Sequence, residues 1–106
     1  MKTMGEMRFS NHFRNHRADR ITYINNTVGF GEEIVIEFKY ENKRECITNT
    51  GVCLVMALDD NFVITAYIAQ FRKVHALCKG LGMEKIPVEL YEVVKNNAHH
   101  WEMQNY

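Results

Sequence analysis

The middle of the chain alternates between apolar and polar residues with the period of a β-strand. Over residues 34–40 every second side chain is a large apolar or aromatic one, and the alternation resumes over 45–50 after a polar turn. Two almost continuously apolar runs follow, over 52–58 and 62–69, with a short polar connection between them. These runs predict two central antiparallel strands that form a hairpin and are buried on both faces or nearly so.

Apolar residues at helical spacing mark both ends of the chain. Ser10 is a predicted N-cap for a helix over residues 11–20, because its hydroxyl can accept a hydrogen bond from an amide of the first turn. A short helix is predicted from Phe71 to the glycines that follow it, and Pro87 suits the first turn of a final helix. Residues 21–28 are ambiguous and are compatible with an additional edge strand.

This order of elements predicts an α+β fold: an N-terminal helix, an antiparallel meander sheet of three or four strands, and two C-terminal helices. The 106 residues correspond to a single domain, 1–106. Hydrophobic residues make up 46% of the chain and charged residues 25%, and no Ser, Gly or Pro tract occurs. This composition excludes disordered and fibrous proteins.

The chain has no net charge, but its charges are unevenly distributed. Thirteen Lys and Arg balance thirteen Asp and Glu, which argues against a protein that coats nucleic acid through bulk charge. Residues 1–20 carry five basic residues against two acids (net +3), residues 21–60 three against seven (net −4), and residues 61–106 five against four (net +1). The basic N-terminal element therefore keeps a local phosphate site compatible with overall neutrality.

The chain start and the cysteines favour a cytoplasmic protein. The first residues lack the apolar core of a secretory signal, and no apolar run approaches the ~20 residues that span a bilayer, so we expect no membrane association. Three cysteines without CxxC spacing favour buried thiols over a disulfide framework or a zinc knuckle. No P-loop, GxGxxG, GxSxG or HExxH motif occurs, and we expect no cofactor.

The segment from His12 to Arg20 is the first candidate site. On a helix, Phe13, His16 and Arg20 fall within about 60° of one another, so His16 and Arg20 are expected to face the sheet. His12 lies at the border of this stripe. A histidine and a guanidinium at the edge of a core suit proton transfer and phosphate binding. Alternatively, His16 is a satisfied, partly buried histidine and Arg20 extends around the sheet edge.

His12 and His16 also have the i, i+4 spacing that lets two imidazoles share one zinc ion. A zinc site needs at least a third ligand, and neither His75 nor a carboxylate lies at a recognisable spacing, so we expect no metal. Arg14 and Arg17 lie away from the stripe. They form either a solvated face or an electrostatic footing for a phosphate backbone.

Thr65 and Tyr67 form the second candidate site, on a predicted central strand. Because two positions separate them, their side chains point to the same face of the sheet. One interpretation places both on the face against which the N-terminal helix rests, where they could orient a phosphate or a 2′-hydroxyl. The other is structural, with Thr65 hydrogen-bonded locally and Tyr67 packed with its hydroxyl at the rim.

The last helix carries Trp101 beside His99 and His100. The tryptophan could stack a base, but it continues the apolar stripe of the helix, which favours a core residue. Tyr91, Trp101 and Tyr106 are a large aromatic set for a solvated helix. A homodimer formed through this helix is therefore a further hypothesis.

Three short motifs resemble those of a nuclease superfamily. They are an HxxxHRxxR pattern that starts at His12, a Thr50-Gly51 pair that enters an apolar strand, and VITAY at 63–67 after a short polar hairpin. Together with the meander, they resemble small bacterial members of the barnase, EndoU, colicin and RelE ribonuclease superfamily, which includes RelE-like toxins. The resemblance covers residues 9–70. It implies an endoribonuclease that needs no metal and activates the 2′-hydroxyl of RNA to attack the adjacent phosphate.

The resemblance also implies three roles at the site. His12 or His16 would be the general base or acid, and Arg17 or Arg20 would bind the phosphate and offset the charge of the transition state. Thr65 would hydrogen-bond the scissile phosphate, and Tyr67 would stack a base.

A second function remains open, that of a non-catalytic module that binds a protein, such as a phage-type inhibitor or an immunity protein. Its interface would be the acidic middle of the chain or the C-terminal helix. The acidic side chains of the middle would repel RNA but complement a basic partner. They are Glu32, Glu33, Glu37, Glu41 and Glu45.

Overall fold

The computed structural model describes the backbone of residues 2, 3 and 5–104 and the side chains of residues 5–97. Within them, a six-stranded sheet carries helices on both faces, which confirms the α+β class. In chain order the elements are β1 (Lys2–Thr3), β2 (Arg8–Phe9), α1 (Asn11–His16), α2 (Ala18–Thr27), β3 (Glu33–Lys39), β4 (Arg44–Thr48), β5 (Val52–Met56), β6 (Phe62–Ile68), α3 (Phe71–Gly80) and α4 (Val88–Gln104).

The sheet has the strand order β1-β3-β4-β5-β6-β2. Strands β3 to β6 form the predicted antiparallel meander, and Gly51 makes the turn between β4 and β5 with a φ of +80°. The prediction of a purely antiparallel sheet of three or four strands is wrong, because β1 and β2 extend it and β2 runs parallel to β6. Two-residue strands are too short to produce a periodic pattern.

The most buried strands are β4 and β5, and not β5 and β6 as predicted. Every residue of β4 and β5 is buried, whereas β6 alternates between buried and more accessible positions. A bulge lies opposite the end of β5, since Met56 pairs with Val63 and Val55 pairs with Thr65. The skipped residue, Ile64, is 39% exposed.

The N-terminal helix differs from the predicted helix over 11–20 in two respects, a break at Arg17 and a longer second part. Arg17 has a φ of −135° and a ψ of 31°, which ends α1 and separates it from α2. Helix α2 then continues through residues 21–27, where an edge strand was considered. The spacing of Ile21 and Ile24 explains this, because it directs both side chains into the core below the helix.

Two hydrophobic cores lie on opposite faces of the sheet. Helices α1 and α2 cover one face, where Phe13 and Ile24 pack against residues such as Leu54 and Ala66. Helices α3 and α4 cover the other face. The second core joins side chains of both helices to those of β4 and β5, among them Val74, Leu90, Ile47 and Cys53.

The cysteines and the helices can be compared with the predictions from the sequence. Cys46, Cys53 and Cys78 are free and buried, as predicted. No helix among the described residues combines the length and the apolar character that crossing a membrane requires.

Candidate functional site

A cleft with a volume of about 480 Å³ opens at the edge of the sheet beside β6. Its walls come from α2, from the end of β6 and from the first turns of α3. We call it the basic cleft, because three of its side chains are cationic and none of the described residues that line it is acidic. The lining residues are Arg20, Tyr67, Ile68, Gln70, Arg72, Lys73 and Ala76.

The close succession of β6 and α3 places two of the three cations. Strand β6 ends at Ile68 and α3 begins at Phe71, so Arg72 and Lys73 of the first turn stand next to the end of the strand. Arg72 makes no ion pair with any described residue. The first turn also contains no acid, and the positive end of the helix dipole adds to the positive potential there.

Arg20 reaches the basic cleft from α2, on the other side of the sheet edge. One of its guanidinium nitrogens, Nη1, donates to the carbonyl oxygen of Ala66 in β6 at 3.4 Å. Burial lowers the pKa of Arg20, and the nearby charge of Arg17 adds to that effect. Arg20 therefore extends around the edge of the sheet, which was one of the two interpretations of its sequence position.

Lys73 is held in the wall of the basic cleft by an acid beneath it. Its ammonium pairs with the carboxylate of Glu45 at 2.5 Å, and Glu45 is only 5% exposed. Burial lowers the pKa of Lys73, whereas the hydrogen bond and the charge of Glu45 raise it, and the net pKa lies above the ordinary value. Lys73 is therefore a fixed cation at neutral pH.

Tyr67 contributes its phenol to the same cleft. Burial raises the pKa of Tyr67, and so do its electrostatic interaction and hydrogen bond with Cys53. Burial likewise raises the pKa of Cys53 to about 11. Both groups stay protonated at neutral pH, so Tyr67 adds no charge to the cleft, and its hydroxyl is hydrogen-bonded to Cys53 in the core.

The two histidines lie away from this cleft. His12 and His16 are exposed on α1, with their ring centroids 4.6 Å apart and the rings tilted by 34°. Arg14 and Arg17 are exposed as well, and Arg17 Nη1 donates to the His16 carbonyl at 3.3 Å. No group of three or more His, Cys, Asp or Glu side chains in the described part of the chain could hold a metal ion.

The expectation that His16 faces the sheet is wrong. It assumed a continuous helix from His12 to Arg20, but α1 ends at His16 and buries Phe13 alone, and the break at Arg17 gives the residues of α2 a different direction. Arg20 consequently reaches the sheet edge, whereas His16 remains exposed.

Thr65 and Tyr67 share a face of β6, as predicted, but it is not the face that the N-terminal helices cover. Tyr67 packs in the core below α3 and α4, whereas Ala66, one residue earlier, belongs to the core below α1 and α2. Thr65 is half-buried and pairs with Val55. The structure thus brings Arg20 and Tyr67 to one cleft and leaves Thr65 outside its lining.

The basic pair of the cleft, Arg72 and Lys73, was not predicted from the sequence. The two residues follow an apolar strand after three residues, Ala69, Gln70 and Phe71. Adjacent cations in the first turn of a helix are uncommon, because positive charge there opposes the helix dipole. Two adjacent cations at the start of a predicted helix were therefore the feature of the sequence that indicated this site.

A second depression, which we call the apolar groove, lies between α3 and α4. Its volume is about 380 Å³, and it is lined by His75, Glu84, Lys85, Ile86, Val88, Tyr91 and Glu92. Val88 is 84% exposed and Tyr91 is 47% exposed, which is unusual for large apolar side chains. Tyr91 also lies 5.3 Å from the ring of Phe71. The side chains of Trp101 and Tyr106, named for the dimer hypothesis, lie outside the described residues, as do those of His99 and His100.

The acidic middle of the chain does not form a continuous acidic surface. Glu45 is buried beneath Lys73, and the carboxylate of Glu37 pairs with Arg44 at 3.0 Å. Of the predicted set, Glu32 and Glu41 are exposed and Glu33 is half-buried. A partner that recognises all five acids together is therefore incompatible with the structure.

Comparisons of the chain with protein-family models, with curated proteins and with solved structures found no match. The resemblance to RelE-like ribonucleases accordingly stays a prediction from short motifs. The chemistry of the basic cleft and of the apolar groove is the remaining basis for a functional proposal.

Proposed function

We propose that this protein binds RNA through the phosphate groups of the strand and holds a phosphate in the basic cleft. The observation that carries the proposal is the convergence of Arg20, Arg72 and Lys73 on one cleft without an acid among its described lining residues. Guanidinium and ammonium groups are the usual protein ligands of phosphate oxygens. A cytoplasmic location, expected from the sequence, would give access to RNA.

The charge distribution supports RNA over a general polyanion. The net charge of the chain is zero, which disfavours nonspecific binding through bulk electrostatics. Arg14 lies on α1 and Arg17 at the break between α1 and α2, the helix that carries Arg20, and both are exposed. A strand that leaves the basic cleft along α2 would meet these two cations.

Cleavage of the bound RNA is the second part of the proposal. The 2′-oxygen attacks the adjacent phosphorus, the bond from phosphorus to the 5′-oxygen breaks, and a 2′,3′-cyclic phosphate and a 5′-hydroxyl form. No imidazole among the described residues lines the cleft, so the scissile phosphate would lie farther along the bound strand, beside α1. His12 or His16 would accept the proton of the 2′-hydroxyl there, and the other histidine or water would supply the proton that the 5′-oxygen takes up. Arg14 and Arg17 would offset the charge that develops on this phosphate.

Binding is tested with a fluorescent single-stranded oligoribonucleotide titrated at several salt concentrations. We expect Arg72→Gln to weaken binding about five- to tenfold, the effect of one charge-assisted hydrogen bond, and to reduce the salt slope by about 0.7. Lys79→Gln is the matched control, since Lys79 is an exposed cation of the same helix outside the cleft. Equal affinity in the two variants, or no binding at low salt, contradicts the proposal.

Cleavage is tested by incubating the protein with RNA in EDTA and analysing the ends of the products. We expect 2′,3′-cyclic ends that disappear in the His12→Ala/His16→Ala double variant and decrease in Arg72→Gln. Binding without cleavage in the wild-type protein would reject the nuclease part and leave the binding part standing. Cleavage that the double variant retains would assign the proton transfer to water.

The apolar groove favours the alternative function, a module that binds another protein. The exposure of Val88 and Tyr91 is the observation that supports it. A Val88→Asp/Tyr91→Asp variant should lose a partner that the wild-type chain retains in co-purification, and light scattering should show whether that partner is a second copy. If the wild-type protein and the variant recover the same amount of the partner, or if neither recovers one, this alternative is contradicted.

A further inference from the structure

We infer that the basic cleft recognises a phosphate monoester, the group at the end of a nucleotide chain, in preference to an internal phosphodiester. The inference rests on the proposed function and narrows it from RNA in general to RNA with a terminal phosphate. It comes from the number of cations in the cleft, from its hydrogen-bonding groups and from its size.

The first argument is charge. An internal phosphodiester carries one negative charge, whereas a phosphate monoester carries about −1.5 to −2 at pH 7. Three cationic side chains line the basic cleft, and Glu45, which pairs with Lys73 from beneath, offsets one of them. A dianion complements this set of charges better than a monoanion does.

The second argument is the number of hydrogen-bonding groups. A monoester offers three terminal oxygens as strong acceptors, whereas a diester offers two non-bridging oxygens. Arg20, Arg72 and Lys73 all line the cleft. Arg20 Nη1 already donates to the carbonyl of Ala66 and the Lys73 ammonium pairs with Glu45, so the guanidinium of Arg72 would supply the main contact. A guanidinium presents several N–H donors in a planar fork, and an ammonium presents three. A tridentate acceptor suits this arrangement.

The third argument is size and shape. A volume of about 480 Å³ falls within the range of about 300–1,000 Å³ that small-molecule sites occupy, and it is large enough for one nucleotide. Apolar atoms of Ile68 and Ala76 complete the lining beside the polar groups. They provide a surface for the sugar or the base next to the terminal phosphate.

The test uses one oligoribonucleotide sequence with three end groups: a 5′-phosphate, a 3′-phosphate, or hydroxyls at both ends. We expect one phosphorylated form to bind about tenfold more tightly than the hydroxyl form, as one charge-assisted hydrogen bond predicts. The preferred form identifies which end the cleft receives. Inorganic phosphate should compete with the preferred form for the cleft.

Variants assign the preference to the basic cleft. Arg72→Gln should remove most of the difference between phosphorylated and hydroxyl oligonucleotides, whereas Lys79→Gln should retain it. Equal affinity for all three forms would overturn the inference while the proposed binding of RNA stands. If no oligonucleotide binds but adenosine 5′-monophosphate does, and Arg72→Gln abolishes that binding, RNA binding is rejected and the monoester inference holds. No binding of any probe rejects both.

Discussion

At the scale of single residues, Lys73 connects the buried sheet with the basic cleft. Its ammonium compensates the carboxylate of Glu45 on one side and faces the cleft on the other. Because Glu45 raises the pKa of Lys73 in the folded state against the effect of burial, the pair stabilises the fold fully below the ordinary lysine pKa. This stabilisation is lost only as the pH rises through the raised pKa, above about 10.4.

We expect Lys73→Met to destabilise the protein, because it leaves the Glu45 carboxylate buried without its cation. Breaking a buried pair costs about 3–5 kcal/mol, but solvent screens a lysine that is partly accessible, so we expect a loss of about 2–3 kcal/mol. The side chain of Lys73 is 32% exposed. Urea denaturation measures the loss in the free energy of unfolding, which should be the same at pH 7 and pH 9.

Two further variants show whether the loss comes from the ion pair. Lys79→Met changes an exposed lysine of the same helix and should alter stability by less than about 0.5 kcal/mol. Glu45→Leu/Lys73→Met replaces both partners with apolar side chains and should recover much of the loss. If Lys73→Met is as stable as Lys79→Met, the ion pair does not contribute to the stability of the fold.

The sequence predicts the residues of the basic cleft only in part. Arg20 and Tyr67 were both singled out, and the structure brings them to the same cleft. His16 was expected beside them because helical projection assumes an unbroken helix, and nothing in the sequence marks the break at Arg17. Glu45 was taken for a surface acid, because the sequence does not show that Lys73 lies above it.

At the scale of elements, Ser10 links the start of α1 to the edge of the sheet. Its hydroxyl accepts a hydrogen bond from the amide of Phe13 at 3.1 Å, which caps the helix as predicted. The same hydroxyl donates to the carbonyl oxygen of Ile64 at 2.9 Å. Ile64 is the bulged residue of β6, so one side chain satisfies a helix end and a strand irregularity together.

We expect Ser10→Ala to destabilise the protein by about 1–2 kcal/mol, the upper part of the usual cost of losing an N-cap, since a second hydrogen bond is lost with it. Thermal or urea denaturation measures this change. Asn15→Ala, at an exposed position of the same helix, is the control and should stay within about 0.5 kcal/mol. A loss no larger in Ser10→Ala than in Asn15→Ala contradicts the capping role.

Strands and helices long enough to repeat their hydrophobic pattern were predictable, whereas two-residue strands and the broken N-terminal helix were not. The four strands of the meander and helix α3 lie close to their predicted bounds, because each repeats its pattern over five or more residues. Strands β1 and β2 have two residues each and carry no such pattern. The centre of the sheet was misplaced because burial depends on neighbouring strands, which a local pattern does not specify.

At the scale of the whole molecule, the sheet separates two cores and, with them, the two candidate surfaces. The basic cleft lies at the β6 edge, where α2 from one face and α3 from the other approach each other. The apolar groove lies on the outside of the α3–α4 layer. Tyr91 contacts Phe71, the first residue of α3, whereas Val88 lies at the start of α4 and outside the lining of the cleft. Val88→Asp alone therefore tests protein binding independently of RNA binding.

The sheet also predicts a gradient of local stability. Strands β4 and β5 have a hydrogen-bonded strand on each side and a helical layer on each face, so their amides open only when the whole domain unfolds. Strand β6 differs, because β2 pairs only with Phe62 and Val63. Among the described strands, none pairs with that side of residues 64–68.

Hydrogen exchange at increasing denaturant concentrations measures this gradient residue by residue. We expect the amides of β4 and β5 to exchange with the free energy of global unfolding, and those of Thr65 and Tyr67, which face β5, to exchange through smaller openings. Addition of a phosphorylated ligand should slow exchange at Thr65 and Tyr67, since the basic cleft lies against this edge of β6. The amides of β4 should respond only as far as the ligand raises the free energy of global unfolding. Uniform protection across β4, β5 and β6 without ligand would show that the edge is as stable as the centre. The cleft would then be a preformed wall of the core, and ligand binding would raise only the global free energy of unfolding.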